Sequence, residues 1–197
     1  MSRTTLSDLA EELTGIVGKS LTNRDFAKSK FERLVGFMRA SVLFRGADTG
    51  SRVCATGLVR IVQAGRLRVG SLTNFQGGMI PTELMAHAGA ELSIGESCGF
   101  NYGSSFEAYQ SIRIGNGCLF ASMVRVCDRF GGKTAPIVIE DNVWVAHGVI
   151  IEPGVTVGRG SVLSAGSVIT KDVPPDSLAI GNPARAMKLS TVVQAAG

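Results

Sequence analysis

The sequence predicts an all-β chain, a left-handed parallel β-helix wound from six-residue repeats, with an N-terminal helical cap and a short C-terminal tail. Three observations predict it. From Ile137 the chain divides without a gap into six hexads: IVIEDN, VWVAHG, VIIEPG, VTVGRG, SVLSAG and SVITKD. The third position of each is aliphatic (Ile139, Val145, Ile151, Val157, Leu163, Ile169), and the first runs Ile137, Val143, Val149, Val155, Ser161, Ser167. Gly148, Gly154, Gly160 and Gly166 close four consecutive hexads.

Residues one and three of a hexad are two apart, so on a strand they share a face and point inward together. The residue between them points out. The remaining three turn a corner, where glycine supplies a positive φ that other residues resist. Three strands and three corners make one triangular coil of 18 residues, and stacked coils satisfy each other's backbone hydrogen bonds around an aliphatic ladder. An antiparallel sandwich also alternates apolar and polar residues, but its turns do not recur every six residues.

The same frame runs upstream. Ile112, Ile114, Cys118, Phe120, Val124 and Val126 take the inward positions of IRIGNG, CLFASM and VRVCDR, and Leu92, Ile94, Cys98 and Phe100 those of LSIGES and CGFNYG. A two-residue slip near Gln110 and Ser111 separates these blocks. Earlier, LVRIVQ and LRVGSL read as degenerate hexads joined by an irregular connection from Phe75 to Pro81. At the start, residues 7–17 space Leu9, Leu13, Ile16 and Val17 helically, with Ser7 as N-cap and Gly18 as stop. Thr22 and Asp25 suggest a capping box for a second helix, whose Phe31, Leu34, Val35 and Met38 form one stripe. The expected role of both helices is to plug the open first coil. Pro174 and Pro175 are expected to end the ladder. The segments are therefore 1–45 (helical), 46–173 (β-helix) and 174–197 (tail).

Composition bounds the function. A chain of 197 residues that is 45% hydrophobic and 18% charged suits one folded domain and excludes a disordered spacer. The net charge of +4 is scattered, with no basic run interleaved with aromatics, so nucleic acid is not an expected partner. Met1 to Gly15 carries Asp8, Glu11 and Glu12 and no apolar h-region, and no window of about 18 apolar residues occurs, so neither a signal peptide nor membrane insertion is expected. Cys54, Cys98, Cys118 and Cys127 show no CxxC spacing, which argues against a zinc site and for reduced, buried thiols in a cytoplasmic protein.

The segment VWVAHGVIIEPGVTVGRGSVLSAGSVITKDVPPDSLAIGNPAR resembles the hexapeptide-repeat acyltransferases, among them galactoside, maltose and polysaccharide O- or N-acetyltransferases. The resemblance is specific from Ile137 to Arg185, good from about Leu92 and weak before that. It implies a homotrimer in which acetyl-CoA lies between neighbouring β-helices and no metal takes part. Acetyl would pass to a hydroxyl or amine, often of a sugar, here in surface polysaccharide biosynthesis. By the same resemblance Ala146, Ala165, Thr170 and Lys171 line the CoA groove, Arg185 meets CoA phosphate and Asn101 lies near the acceptor. Trp144, the only tryptophan, takes an outward position and either flanks the groove or packs in the trimer interface.

The match fails at the general base. An alcohol is a weak nucleophile at neutral pH, and a histidine normally takes its proton. In the family that histidine follows an aspartate after the hexad that here reads VRVCDR. Asp128 matches, yet no histidine follows it in Asp128–Pro136. His147, at a corner that in relatives approaches the pantetheine, is the first candidate; His87 and Asp128 itself are the others. Two histidines also fall short of the three that zinc-dependent relatives on this fold require. Two further readings stay open: a non-catalytic trimeric scaffold that lost the histidine, and an acyltransferase fed by an acyl carrier protein.

Overall fold

The computed structural model describes residues 30–190. The helix expected over 7–17 and the capping box at Thr22 and Asp25 lie outside the described residues.

The expected parallel β-helix of hexapeptide repeats is what the chain forms, with six coils stacked on three faces. Face A stacks Asp48–Thr49, Arg66–Val69, Glu91–Ile94, Ser111–Ile114, Ile137–Ile139 and Thr156–Val157. Face B stacks Cys54–Ala55, Asn74–Phe75, Gly99–Phe100, Leu119–Phe120, Trp144–Val145, Val162–Leu163 and Ser177–Gly181. Face C stacks Val59–Gln63, Thr82–Ala86, Ser105–Ala108, Arg125–Cys127, Ile150–Ile151 and Val168–Ile169. Register holds like on like: Ile112 lies opposite Leu92 and Ile137, and Ile114 opposite Ile94 and Ile139. The first and third residues of all six C-terminal hexads are buried, including Ser161 and Ser167.

In LVRIVQ the frame differs from a regular hexad. Val59 and Ile61 pack on the core, while Leu58 is 51% exposed, because Val59 pairs with Thr82 and Ile61 with Leu84. In several hexads the closing position is left-handed without being glycine: Ser97 (φ 56°), Asn142 (φ 58°) and Met123 (φ 61°) match Gly148 (φ 66°). Stacking between coils therefore overrides the preference of the individual residue.

The few aromatics are concentrated in one column of the core. Phe75, Phe100 and Phe120 stack at centroid distances of 4.9 Å, and Phe106 meets the last two edge-on at 5.1 Å. Beyond Phe120 the same column narrows to Val145, Leu163 and Ala179.

Helix α1 (Lys30–Leu43) closes the first coil, and Phe44 just past its end lies 5.4 Å from the Phe75 ring. Two residues of the expected stripe face outward and Val35 is half-buried. Leu34 and Met38 are 55% and 54% exposed, and the helix packs instead through Gly36 and Ala40. Close approach decides this: a Cβ on Gly36 would stand 2.6 Å from Cys54 Sγ, so the helix presents its smallest side to the coil. The prolines do not end the ladder either. Val173 bridges to Val157, Leu178 pairs with Val162 in parallel, and only after Gly181 does the chain turn back as Ala184–Lys188 in an antiparallel hairpin. Pro174 and Pro175 sit in a corner, where no ladder bond is demanded of them.

Truncating the aromatic column, as in Phe100→Ala, is expected to destabilise the chain by about 3–5 kcal/mol in urea unfolding, against about 2–5 kcal/mol for Leu163→Ala.

Candidate active site

Four of the sequence-derived residues line the corner between faces B and C. Asn101 N donates to Phe120 O (2.9 Å), Ala121 N to Val145 O (2.8 Å), Ala146 N to Leu163 O (3.0 Å) and Ser164 N to Ala179 O (2.9 Å). The next residues, Tyr102, Ser122, His147 and Ala165, form a second column beside the first, since Gly148 N bonds Ser122 O and Gly166 N bonds His147 O. Small residues thus make an open edge over the later coils. His147 stands exposed on it, with Nδ1 2.8 Å from Ser122 Oγ. Because a hydroxyl can donate or accept, this bond leaves open which nitrogen of His147 carries the proton. Asn101 Oδ1 accepts from the adjacent Tyr102 N (2.9 Å), so its amide is partly engaged by its own corner.

The other candidates lie elsewhere. Trp144 points outward on face B, in line with Leu119, Val162 and Leu178. Thr170 and the exposed Lys171 follow Val168–Ile169, on the opposite border of face C from His147. Arg185 lies opposite Ile180 in the terminal hairpin.

Asp128 is fully buried, and its carboxylate accepts three backbone N–H bonds, from Tyr109 (2.7 Å), Gln110 (2.8 Å) and Ser111 (2.7 Å). This is the two-residue slip seen in the sequence. The carboxylate holds the misaligned corner together and has no side open to an acceptor. After it, residues 129–134 form a small hairpin, Arg129–Phe130 against Lys133–Thr134. Lys133 Nζ reaches across to Pro153 O at 2.8 Å.

Beside Asp128 the structure assembles a cluster that the sequence did not disclose. His87 Nε2 lies 3.0 Å from Glu107 Oε1, which also accepts from Tyr109 OH at 2.7 Å. The His87 and Tyr109 rings stack at 4.0 Å and 12°, and the Arg129 guanidinium lies 3.9 Å over the Tyr109 ring. Burial pushes the Glu107 carboxyl up, but the bonds from Tyr109 and His87 to its ionised form outweigh it, and the net direction is down. The same bond to Glu107 holds the Tyr109 phenol above its ordinary range, and burial raises the Cys127 thiol. His87, Glu107, Tyr109 and Arg129 come from three successive coils, with Glu107 and Tyr109 from the same one. Their contact depends on the register of Thr82–Ala86, Ser105–Ala108 and Arg125–Cys127 across the slip at Gln110, which sequence spacing does not reveal.

Comparison with known proteins agrees with this architecture. The family described as bacterial transferase hexapeptide (six repeats) matches residues 136–171. Those residues of the chain carry the hexapeptide repeat of that family. A Schizosaccharomyces pombe protein provisionally named an acetyltransferase is 39% identical to the chain over 111 residues, 51% of this chain and 54% of that one. Galactoside O-acetyltransferase of Escherichia coli K12 is 51% identical over 53 residues, 27% of this chain and 26% of its own. Among solved structures, the polySia-specific acetyltransferase NeuO superposes with a TM-score of 0.51 at 25% identity, covering 72% of this chain and 78% of that one. The chain spans about half the length of the yeast relative and about a quarter of the galactoside O-acetyltransferase.

Two outcomes follow from the site's geometry. Asp128→Ala removes the shared acceptor of three part-buried N–H groups and is expected to cost about 1–3 kcal/mol in urea unfolding. A group whose folded value is depressed, as for Glu107, contributes stability above its unfolded value, and that stability is lost as pH falls through the folded value. The Tm deficit of Tyr109→Phe should therefore be largest at neutral pH and shrink below about pH 4, as thermal scans across pH will show.

Proposed function

We propose that this chain is an acetyltransferase that moves acetyl from acetyl-CoA to a hydroxyl or amine of a sugar, as a cytoplasmic homotrimer in surface polysaccharide biosynthesis. The observation that carries this reading is the open edge of small residues, Ala121, Ala146, Ser164 and Ala165, with His147 standing on it. Such an edge lets an extended pantetheine lie against backbone. Likeness to proteins named as acetyltransferases supports it.

In this reading Lys171 and Arg185 hold the CoA phosphates by charge-assisted bonds, with Thr170 beside them. His147 lines the pantetheine channel, and Asn101 faces the acceptor. Asp128 keeps the corner at Tyr109 in shape. The edge with Ala146 and the border with Lys171 flank face C from opposite sides, so a groove between two copies would bring one of each together. The outward apolar line Leu119, Trp144, Val162 and Leu178 supports such packing, since monomers rarely leave an apolar stripe uncovered. Trp144 would then belong to the contact between copies.

A second reading, a trimeric scaffold without activity, is favoured by one feature, the lack of a histidine between Asp128 and Pro136. Calorimetric titration with CoA separates the two. Saturable binding near one CoA per chain, weakened at least about tenfold in Lys171→Glu, is the outcome expected of the enzyme. Absence of heat and of thermal stabilisation would favour the scaffold.

A further inference from the structure

The cluster at His87 has features that His147 lacks. Glu107 is an acceptor when ionised, so the bond at 3.0 Å requires His87 Nε2 to carry the proton and leaves the lone pair on Nδ1. Among the described residues Nδ1 has no hydrogen-bond partner, and the side chain is 38% exposed. Orientation is fixed twice over, at the ring edge by Glu107 and across the ring face by Tyr109. Tyr109 is itself held between the imidazole and the Arg129 guanidinium. The charged and titratable groups around the ring are thus Glu107, Tyr109 and Arg129, with Arg125 and Cys127 beyond Glu107.

Position along the helix agrees. His87 lies on the same border of face C as Thr170 and Lys171, four coils away by way of Tyr109, Asp128 and Pro153. At about 4.8 Å per coil the separation is about 19 Å along the axis, the scale of an extended CoA arm. Phosphates held at Lys171 would direct the thioester toward His87, whereas His147 is one coil from Lys171.

We propose that His87, positioned by Glu107, is the general base for acyl transfer in this chain; the inference rests on the acetyltransferase reading above. Nδ1 takes the proton of the acceptor hydroxyl or amine as that atom attacks the acetyl carbonyl. The tetrahedral adduct collapses with loss of the C–S bond, and the departing CoA thiolate takes the proton back from the imidazolium. Ester or amide and free CoA result, and the imidazole is restored.

The test is thiol release from acetyl-CoA by the full chain, with a β-galactoside, maltose and polysialic acid as acceptors over a water background. His87→Gln keeps an N–H for Glu107; it is expected to lower kcat about 100-fold or more, with KM for acetyl-CoA within about threefold and Tm unchanged. His87→Ala should lose as much and regain about tenfold with added imidazole. Glu107→Gln should lower kcat about tenfold without altering CoA titration, and His147→Ala should act on KM instead. Wild-type kcat in His87→Gln would overturn the proposal while leaving the acetyltransferase reading intact. So would a loss in His87→Ala that tracks unfolding and is not rescued. A wild-type chain that binds CoA yet releases no thiol overturns the base assignment along with catalysis, and one that binds no CoA overturns the underlying reading first.

Discussion

Every feature of this chain depends on one constraint, that each coil must present its backbone in register to the coil on either side. A parallel ladder satisfies N–H and C=O groups only through its neighbours, so a corner turned one residue early would leave two rows of polar groups unpaired and rotate the aliphatic ladder outward. The left-handed φ at Met123 shows how strongly this is enforced, since a side chain of that kind seldom adopts the conformation, whereas Asn142 tolerates it. Asp128 shows what happens where the register does slip. Three N–H groups left over by the two-residue corner are gathered by a single buried carboxylate.

That constraint also explains what could be read in advance. Six unbroken hexads from Ile137 sufficed for the fold and for its inward residues, because period and burial there coincide one for one. Columns at the corner between faces B and C, with Asn101, Ala146, His147 and Ala165, follow from the same count. The cluster of His87, Glu107, Tyr109 and Arg129 did not, because its members come from three coils and lie on both sides of the slip at Gln110. Helix α1 was misjudged for a different reason. A stripe of large apolar residues normally marks the buried side, but here the distance of closest approach to Cys54 selects Gly36 and Ala40, and Leu34 and Met38 are left outside.

The two borders of face C carry different chemistry. One offers small side chains and an exposed histidine paired with a neutral hydroxyl. The other offers Asp128, the His87–Glu107 pair, and Lys171 toward the far end. A solenoid makes such division natural, since a residue type repeated at one hexad position becomes a line running the length of the molecule. Local exceptions to the repeat, the slip and the hairpin at 129–134, then supply a place where that line is broken by a specific site.

The terminal hairpin has a consequence for assembly. A stack of parallel coils is open at both ends, and each bare end is a template on which another copy could continue the ladder without limit. Here α1 covers the first coil, and on face B the outermost strand, Ala184–Lys188, runs antiparallel and is largely exposed, with Arg185 and Lys188 along it. Its reversed direction offers no match to an incoming parallel coil, and its charges discourage a flat partner. On face B, therefore, side-by-side association is open to the molecule while end-to-end extension of the ladder is discouraged.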